Sequence, residues 1–186
     1  MKIFGIGTDI VNIKRIEQSL KTHRFIFKNK IFSKKEISYC EKRKEITTEG
    51  GLNIKKNKKF IQKMIKILKK NKVRVSLFIE PKINDIKLSR FLGADCVEIH
   101  TGNFCNLFNR NKKIRKSYLK LKNAANYAKK IGLEVHAGHG LTYKSAFKIS
   151  KIRNISEFNI GHFLISESLF CGLTNAIKKF KKVINT

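Results

Sequence analysis

Short apolar runs rich in β-branched residues alternate along most of the chain with longer Lys-rich segments, in which apolar residues recur every three or four positions. The short runs predict strands and the longer segments predict helices, because these are the periods of the two structures. We predict strands at residues 73–80, 96–100, 133–136 and 157–160, and helices at residues 58–70, 83–92, 112–131, 144–151 and 164–183. This βαβ alternation is typical of an α/β fold with a parallel sheet covered by helices.

The first forty residues have a different pattern. They predict a short strand near residues 3–6, a helix at residues 13–21 and a second helix capped by Ser33. A chain of 186 residues is long enough for one well-buried core with a small appendage. We therefore expect one main domain preceded by a small αβ appendage.

The chain is strongly basic, with 42 Lys and Arg, 13 Asp and Glu, and a net charge of +29. Clustered positive charge indicates a nucleic-acid partner, but here the lysines are spread along the whole chain together with many Ile, Asn and Phe residues. These residue types have A- and T-rich codons, so drift in base composition explains the charge better. We expect small phosphorylated substrates as partners rather than nucleic acid.

Nothing in the sequence predicts a membrane or a secreted location. No apolar run approaches the roughly 18 residues of a membrane span, and the amino terminus lacks the pattern of a signal peptide. The cysteines, Cys40, Cys96, Cys105 and Cys171, are scattered without CxxC pairing. Free thiols in the reducing cytoplasm are the natural interpretation.

Three successive predicted strands end in similar chemistry: CVEIHTG, LEVHAGHG and EFNIGHF. The carboxyl ends of parallel strands meet at one edge of a sheet, where the sites of such folds lie. Histidine transfers protons near neutral pH, and a buried glutamate beside it suits condensation and dehydration of carbonyl compounds. We expect one mouth to collect Glu98, His100, His136, His139 and His162.

Glycines adjoin these histidines. Backbone N–H groups at a strand-to-helix junction can hold a phosphate, and Gly161 with His162 is the best-placed pair. A tight turn that merely needs glycine is the alternative. Near the amino terminus, Asp9 could bind a metal ion, although a lone carboxylate is more typical of a turn or cap.

Five sequence blocks together resemble the pyridoxine 5'-phosphate synthase family, in order and at family spacing. They are EITTEGGL, VSLFIEP, GADCVEIHTG, GLEVHAGHGLTY and EFNIGHFLISESLFCGL. The resemblance implies the second half of a TIM-type barrel of parallel (β/α) units. It also implies a transferase of vitamin B6 biosynthesis, which condenses 1-deoxy-D-xylulose 5-phosphate with 3-amino-2-oxopropyl phosphate and requires no metal or organic cofactor.

The same resemblance implies roles for individual residues. His139 matches the proton donor of the family, and Glu98 matches the group that stabilises charge in the transition state. Thr47 matches a contact to 1-deoxy-D-xylulose 5-phosphate. The aminooxopropyl phosphate would be held by Gly140, Gly161 and His162. His136 departs from the family, which generally has Asn there, and a second imidazole could alter the pKa of His139.

The segment before these blocks, beginning MKIFGIGTDIV and ending near EKR, resembles the start of holo-[acyl-carrier-protein] synthase, a phosphopantetheinyl transferase. We therefore predict a fusion, with residues 1–43 from the transferase family and residues 44–186 from the synthase family. Asp9 matches the Mg²⁺ ligand of the transferase, whose partners would be coenzyme A and acyl carrier protein. The second metal-binding block of that family is not in this chain.

The synthase blocks begin only after the first four strands that the family would have. This predicts a truncated half-barrel that lacks the other His and Glu acid/base groups, so its activity is an open question. An open sheet exposes its edges, and we expect a homo-oligomer to cover them. Two alternatives remain: a transferase that uses Asp9 and Mg²⁺, and a non-catalytic fusion relic.

Overall fold

The computed structural model describes residues 50–185. Its helices and strands follow one another as α1 Lys58–Lys70, β1 Ser76–Ile79, α2 Ile83–Leu92, β2 Cys96–His100, α3 Gly102–Asn109, α4 Arg115–Lys130, β3 Glu134–Gly138, α5 Tyr143–Ser150, β4 Glu157–Asn159, α6 His162–Cys171 and α7 Leu173–Asn185. The strand and two helices that we predicted before residue 44 lie outside the described residues.

The four described strands form one parallel sheet in the order β1-β2-β3-β4. Each strand pairs with the next strand in the chain, and at least one helix lies between them. Successive parallel strands with helical connections are the repeating unit of a (β/α) barrel. The α/β fold class is confirmed, and the described part is consistent with a partial TIM-type barrel.

The two faces of the sheet differ in polarity. The strand side chains that face the helices are apolar and buried, and they form the core together with residues of the helices. These strand residues are Leu77, Ile79, Val97, Ile99, Val135 and Ala137. Strand residues alternate between faces, so the intervening positions lie on the other face. Those positions include Phe78, Glu98, His100 and His136, which gives this second face its ionisable groups.

Specific turns fix where the strands end and the helices begin. Gly93 ends α2 with a φ of 94°, in the left-handed region that a side chain disfavours. At the start of α5, Thr142 and Ser145 form a reciprocal capping box. The loop after β3 is thereby tied to a fixed helix terminus.

Two helices differ from the sequence predictions. We predicted one helix at residues 164–183, but Gly172 has a φ of 78° and divides that segment into α6 and α7. Helix α3, which we did not predict, begins directly after β2 and buries Phe104 and Cys105. Its eight residues begin with a glycine, so a period of 3.6 is hard to recognise there.

Helix α6 is apolar, yet none of its described side chains is buried. Leu169 is 80% exposed and Phe170 is 89% exposed. Among residues 50–185, no helix combines the length and the hydropathy that crossing a bilayer requires. The exposed apolar surface of α6 is therefore confined to one helix of ten residues.

Candidate active site at the carboxyl ends of the strands

Neighbouring strands place ionisable side chains opposite one another on the second face of the sheet. Glu98 of β2 is in register with His136 of β3. One step closer to the carboxyl ends, His100 is in register with Gly138, which is in register with Asn159 of β4. On this face of the sheet, the pair that contains Glu98 is thus the last but one before the carboxyl ends of the strands.

Glu98 occupies a partly enclosed position between two strands. Its carboxylate lies over Gly138, where a Cβ would come within 1.9 Å of Oε1. Burial raises the pKa of Glu98, while a hydrogen bond with the Asn159 side chain and the nearby His136 oppose that shift. A carboxyl group with a raised pKa can hold or release a proton closer to neutral pH than an exposed glutamate.

His139 follows β3 in a backbone conformation that is rare for a residue with a side chain, with a φ of 80°. The Thr101 hydroxyl lies 2.6 Å from the carbonyl oxygen of His139 and 2.8 Å from that of Gly138, so it can donate to either. The Thr101 N–H also donates to Gly138. These contacts hold the strained turn that presents His139 at the end of the sheet.

The imidazole of His139 packs against other rings. Its centroid lies 4.8 Å from that of His100 and 6.5 Å from that of Phe78. The next residue, Gly140, has a φ of 76°, and a Cβ there would lie 3.2 Å from Cβ of Cys105. The backbone conformation at position 140 therefore favours glycine, and a Cβ there would fit tightly against Cys105.

A carboxylate that we did not single out from the sequence completes this side of the site. Glu80 directly follows β1, and its Oε1 lies 2.7 Å from Nδ1 of His100. The Gly51 N–H donates to the same oxygen at 3.1 Å. Burial alone would raise the pKa of Glu80, but these two hydrogen bonds and the charge of the region hold it below its usual value. Its position at the end of a predicted strand is the sequence feature that could have singled out Glu80, as it singled out Glu98 and His139.

Gly161 and His162 follow β4 at the same end of the sheet. Gly161 is the N-cap of α6, no side chain caps this terminus, and the first turn of α6 has no acidic residue. A Cβ at position 161 would meet no atom of residues 50–185 within 4 Å. Free N–H groups beside open space are the features that an anion requires at a helix terminus. The predicted phosphate position is therefore geometrically accessible, and its role stays a prediction.

His136 is only 7% exposed and leans toward the starts of the strands rather than toward their ends. Its Nε2 lies 3.0 Å from Glu134 and its Nδ1 lies 3.6 Å from Glu157. Our expectation that His136 joins the other histidines at the mouth is thus wrong. The ligand atoms of Glu134, His136 and Glu157 lie within 4.8 Å of one another, so they could hold a metal ion.

Glu134 is already committed to other partners. It forms an ion pair with Arg74, and the hydrogen bond with His136 is the main cause that holds the pKa of Glu134 below its usual value. Thr47 and Asp9, the other predicted site residues, lie outside residues 50–185. The synthase interpretation expected no metal or organic cofactor, and this stays a prediction.

A cavity of about 510 Å³ opens beside Glu80 at the carboxyl end of β1. The segment around Gly51 forms one wall, and its Leu52 N–H donates to the carbonyl of Phe78 at 2.8 Å. The cationic side chains Lys55 and Lys82 lie on its border. The carboxyl end of β1 thus adjoins a space that a small molecule could enter, and the carboxylates of Glu80 and Asp85 line it together with the two lysines.

Comparison with known proteins identifies the lineage of the chain. A model of the family described as "Pyridoxal phosphate biosynthesis protein PdxJ" matches residues 15–186. The chain is 53% identical over 145 residues to a pyridoxine 5'-phosphate synthase of Pelagibacter ubique, which covers 78% of this chain and 61% of the relative. It is 46% identical over 144 residues to the synthase of a Sulfurihydrogenibium species, covering 77% of this chain and 58% of the relative.

The match to the family model begins at residue 15, so it includes most of the segment that we assigned to a transferase-like leader. The chain spans about three-fifths of the length of the curated relatives that it matches. The strand ends that carry Glu98, His139 and Gly161 all lie inside the matched region. The chain belongs to the PdxJ family, that of the pyridoxal phosphate biosynthesis protein PdxJ.

Proposed function

We propose that this chain binds phosphorylated carbonyl substrates at the carboxyl ends of β2, β3 and β4. There it performs the chemistry that the second half of the barrel contributes in a pyridoxine 5'-phosphate synthase. The reaction is the condensation of 1-deoxy-D-xylulose 5-phosphate with 3-amino-2-oxopropyl phosphate. The observation that carries the proposal is the placement of a partly buried glutamate on β2 and of a histidine with a strained backbone directly after β3. These are Glu98, whose pKa is raised by burial, and His139.

Each group has a chemical task in this proposal. His139 donates a proton to the substrate, and its fixed turn holds the imidazole at the sheet edge. Glu98 stabilises charge that develops in the transition state, and its position over Gly138 restricts its movement. Gly140, Gly161 and His162 hold the phosphate of 3-amino-2-oxopropyl phosphate, while Thr47 contacts the other substrate.

The phosphate assignment has a direct test. Isothermal titration of 3-amino-2-oxopropyl phosphate into the full chain should show binding that weakens at least about tenfold in His162→Ala, because a hydrogen bond to a charged group is lost. Ser166→Ala is the matched control on the same helix, since its hydroxyl donates to the backbone carbonyl of His162 within that helix. Equal affinity in His162→Ala and Ser166→Ala would contradict the assignment.

We also propose that the chain acts as a homo-oligomer in the cytoplasm. Among the described strands, β1 and β4 each pair on one side only, and α6 exposes Leu169 and Phe170. Edge strands and exposed apolar side chains favour association with another chain. The described cysteines Cys96, Cys105 and Cys171 are free, as expected in a reducing compartment.

A transferase function of the amino terminus is the alternative. It would use Asp9 to bind Mg²⁺ and would act on coenzyme A and acyl carrier protein. The PdxJ family model includes residues 15–43, so this alternative rests on Asp9 and the first 14 residues. Transfer of phosphopantetheine to an acyl carrier protein, lost in Asp9→Asn, would support it. A chain that binds none of these molecules would be a non-catalytic relic.

A further inference from the structure

His100 is held by a carboxylate on one side of its ring. Oε1 of Glu80 lies 2.7 Å from Nδ1, and the Gly51 N–H anchors the same oxygen. Since these hydrogen bonds keep the pKa of Glu80 low, Glu80 is a carboxylate at neutral pH. A carboxylate only accepts hydrogen bonds, so Nδ1 of His100 must carry a proton. In the neutral imidazole, the lone pair is then on Nε2.

Nε2 of His100 is buried, as the 10% exposure of the side chain implies, and it has no hydrogen-bond partner among residues 50–185. A buried nitrogen with a lone pair usually has a donor within reach. Gly102 lies directly beside it, and a Cβ on Gly102 would come within 2.6 Å of Nε2 of His100 and 2.8 Å of Cδ2 of His139. The absent side chain at position 102 therefore lets the two imidazoles meet.

The geometry of the two rings suits a hydrogen bond between them. Their centroids are 4.8 Å apart and their planes meet at 62°. A half-turn of the His139 ring about its Cβ–Cγ bond exchanges Cδ2 and Nδ1. An N–H group would then stand where Cδ2 now lies, on the side of the ring that faces Gly102 and His100.

We propose that Glu80 and His100 are positioning residues for His139: the His139 ring donates its Nδ1–H to Nε2 of His100, which donates its own Nδ1–H to Glu80. This inference rests on the proposed function for its catalytic meaning, since it deepens the role of His139 there. The chain of hydrogen bonds would fix the orientation of His139. With its Nδ1–H engaged, the ring donates a proton from Nε2 as the imidazolium and returns to the neutral form protonated on Nδ1.

Imidazole ¹⁵N spectra of the full chain test the arrangement without any turnover. The expected result is an Nδ1-protonated His100 and a measurable N–H···N coupling between His100 and His139. Glu80→Gln should change the ¹⁵N shifts of both histidines. Glu167→Gln, which removes a carboxylate from α6, should change neither. An Nε2-protonated His100, or a His139 spectrum unaffected by Glu80→Gln, would overturn the proposal.

Kinetics of two His100 variants separate positioning from packing. In His100→Asn the amide can still donate to Glu80 but no acceptor remains at the Nε2 position, whereas His100→Gln places an amide near that position. We expect kcat to fall at least about tenfold in His100→Asn, with KM within about twofold, and to fall less in His100→Gln. Unchanged kcat in His100→Asn would contradict the proposal. If the parent chain has no turnover, the proposed function fails, and the ¹⁵N spectra alone decide the arrangement.

Discussion

The carboxylate of Glu98 lies over the α-carbon of Gly138, and a methyl group at position 138 would come within 1.9 Å of Oε1. The Asn159 side chain approaches the same point, since its Cβ would be 3.2 Å from that methyl group. The space that Glu98 occupies therefore exists only because β3 has no side chain there. This single glycine links the sequence of β3 to the geometry of a residue on β2.

Gly138→Ala should thus displace the Glu98 carboxylate and destabilise the fold. We expect the free energy of unfolding to fall by about 1–3 kcal/mol, the usual cost of overpacking a buried position. Gly161→Ala is the matched control, because a Cβ there meets none of the described residues within 4 Å. Urea unfolding of both variants measures the difference. Equal midpoints would show that Glu98 can move aside at little cost.

The ionisation of Glu98 should make stability depend on pH. Burial raises its pKa in the folded state above the unfolded value, so the fold favours the protonated carboxyl and loses stability as the pH rises through the folded-state pKa. Glu98→Gln removes that loss. We expect this variant to be more stable than the parent at neutral pH and equal to it below the unfolded pKa, as measured by denaturation at several pH values.

Glu134→Gln should change the stability at neutral pH in the opposite direction and serves as the control. The hydrogen bond with His136 and the ion pair with Arg74 lower the folded-state pKa of Glu134. Its contribution is present above the unfolded pKa and is lost as the pH falls through the folded-state pKa. Glu134→Gln should therefore be less stable than the parent at neutral pH. The same sign in both variants would contradict the two environments described.

The hydroxyl of Thr101 should contribute more to the free energy of unfolding than its methyl group does. Thr101 is 1% exposed and lies against the carbonyls of Gly138 and His139. Thr101→Val keeps the shape but leaves those carbonyls without the hydroxyl, at a cost of about 1–3 kcal/mol. Thr101→Ser keeps the donor and loses about 0.8 kcal/mol for one methyl group. Thermal or urea unfolding measures both, and a Ser variant less stable than the Val variant would contradict this role.

The exposed end of α6 offers a test of self-association. Phe170 is 89% exposed, so Phe170→Asp should leave the free energy of unfolding within about 0.5 kcal/mol of the parent. We expect it to shift the mass measured by analytical ultracentrifugation toward the monomer. Phe60→Asp is the control, since Phe60 is 66% exposed on α1. An identical mass distribution for the parent and both variants would exclude this surface of α6 from assembly.

Periodicity predicted the elements that bury a regular stripe. The bounds of α1 and α2 match the predictions, because Ile61 and Ile65 recur four residues apart and Gly93 ends α2. Strand β2 was also predicted with its bounds, since Val97 and Ile99 are buried on alternate positions. The local sequence pattern is therefore sufficient to predict a helix or strand that buries one face along its whole length.

The rest depends on contacts that are distant in sequence. Glu98 and His139 could be singled out because polar residues beside glycine end both strands. Glu80 could not be tied to His100, since that contact joins residues 20 positions apart. The ring of His136 turns toward Glu134 and Glu157, and periodicity does not specify toward which end of a strand a side chain leans. Tertiary packing decides such orientations.

The central claim is that the described strand ends perform synthase chemistry, and turnover tests it most directly. The measurement is formation of pyridoxine 5'-phosphate by the purified full chain from 1-deoxy-D-xylulose 5-phosphate and 3-amino-2-oxopropyl phosphate, with His139→Ala beside it. We predict product in the parent chain and a loss of at least about a hundredfold in the variant. A folded parent chain that forms no product, or a variant that matches it, would contradict the claim.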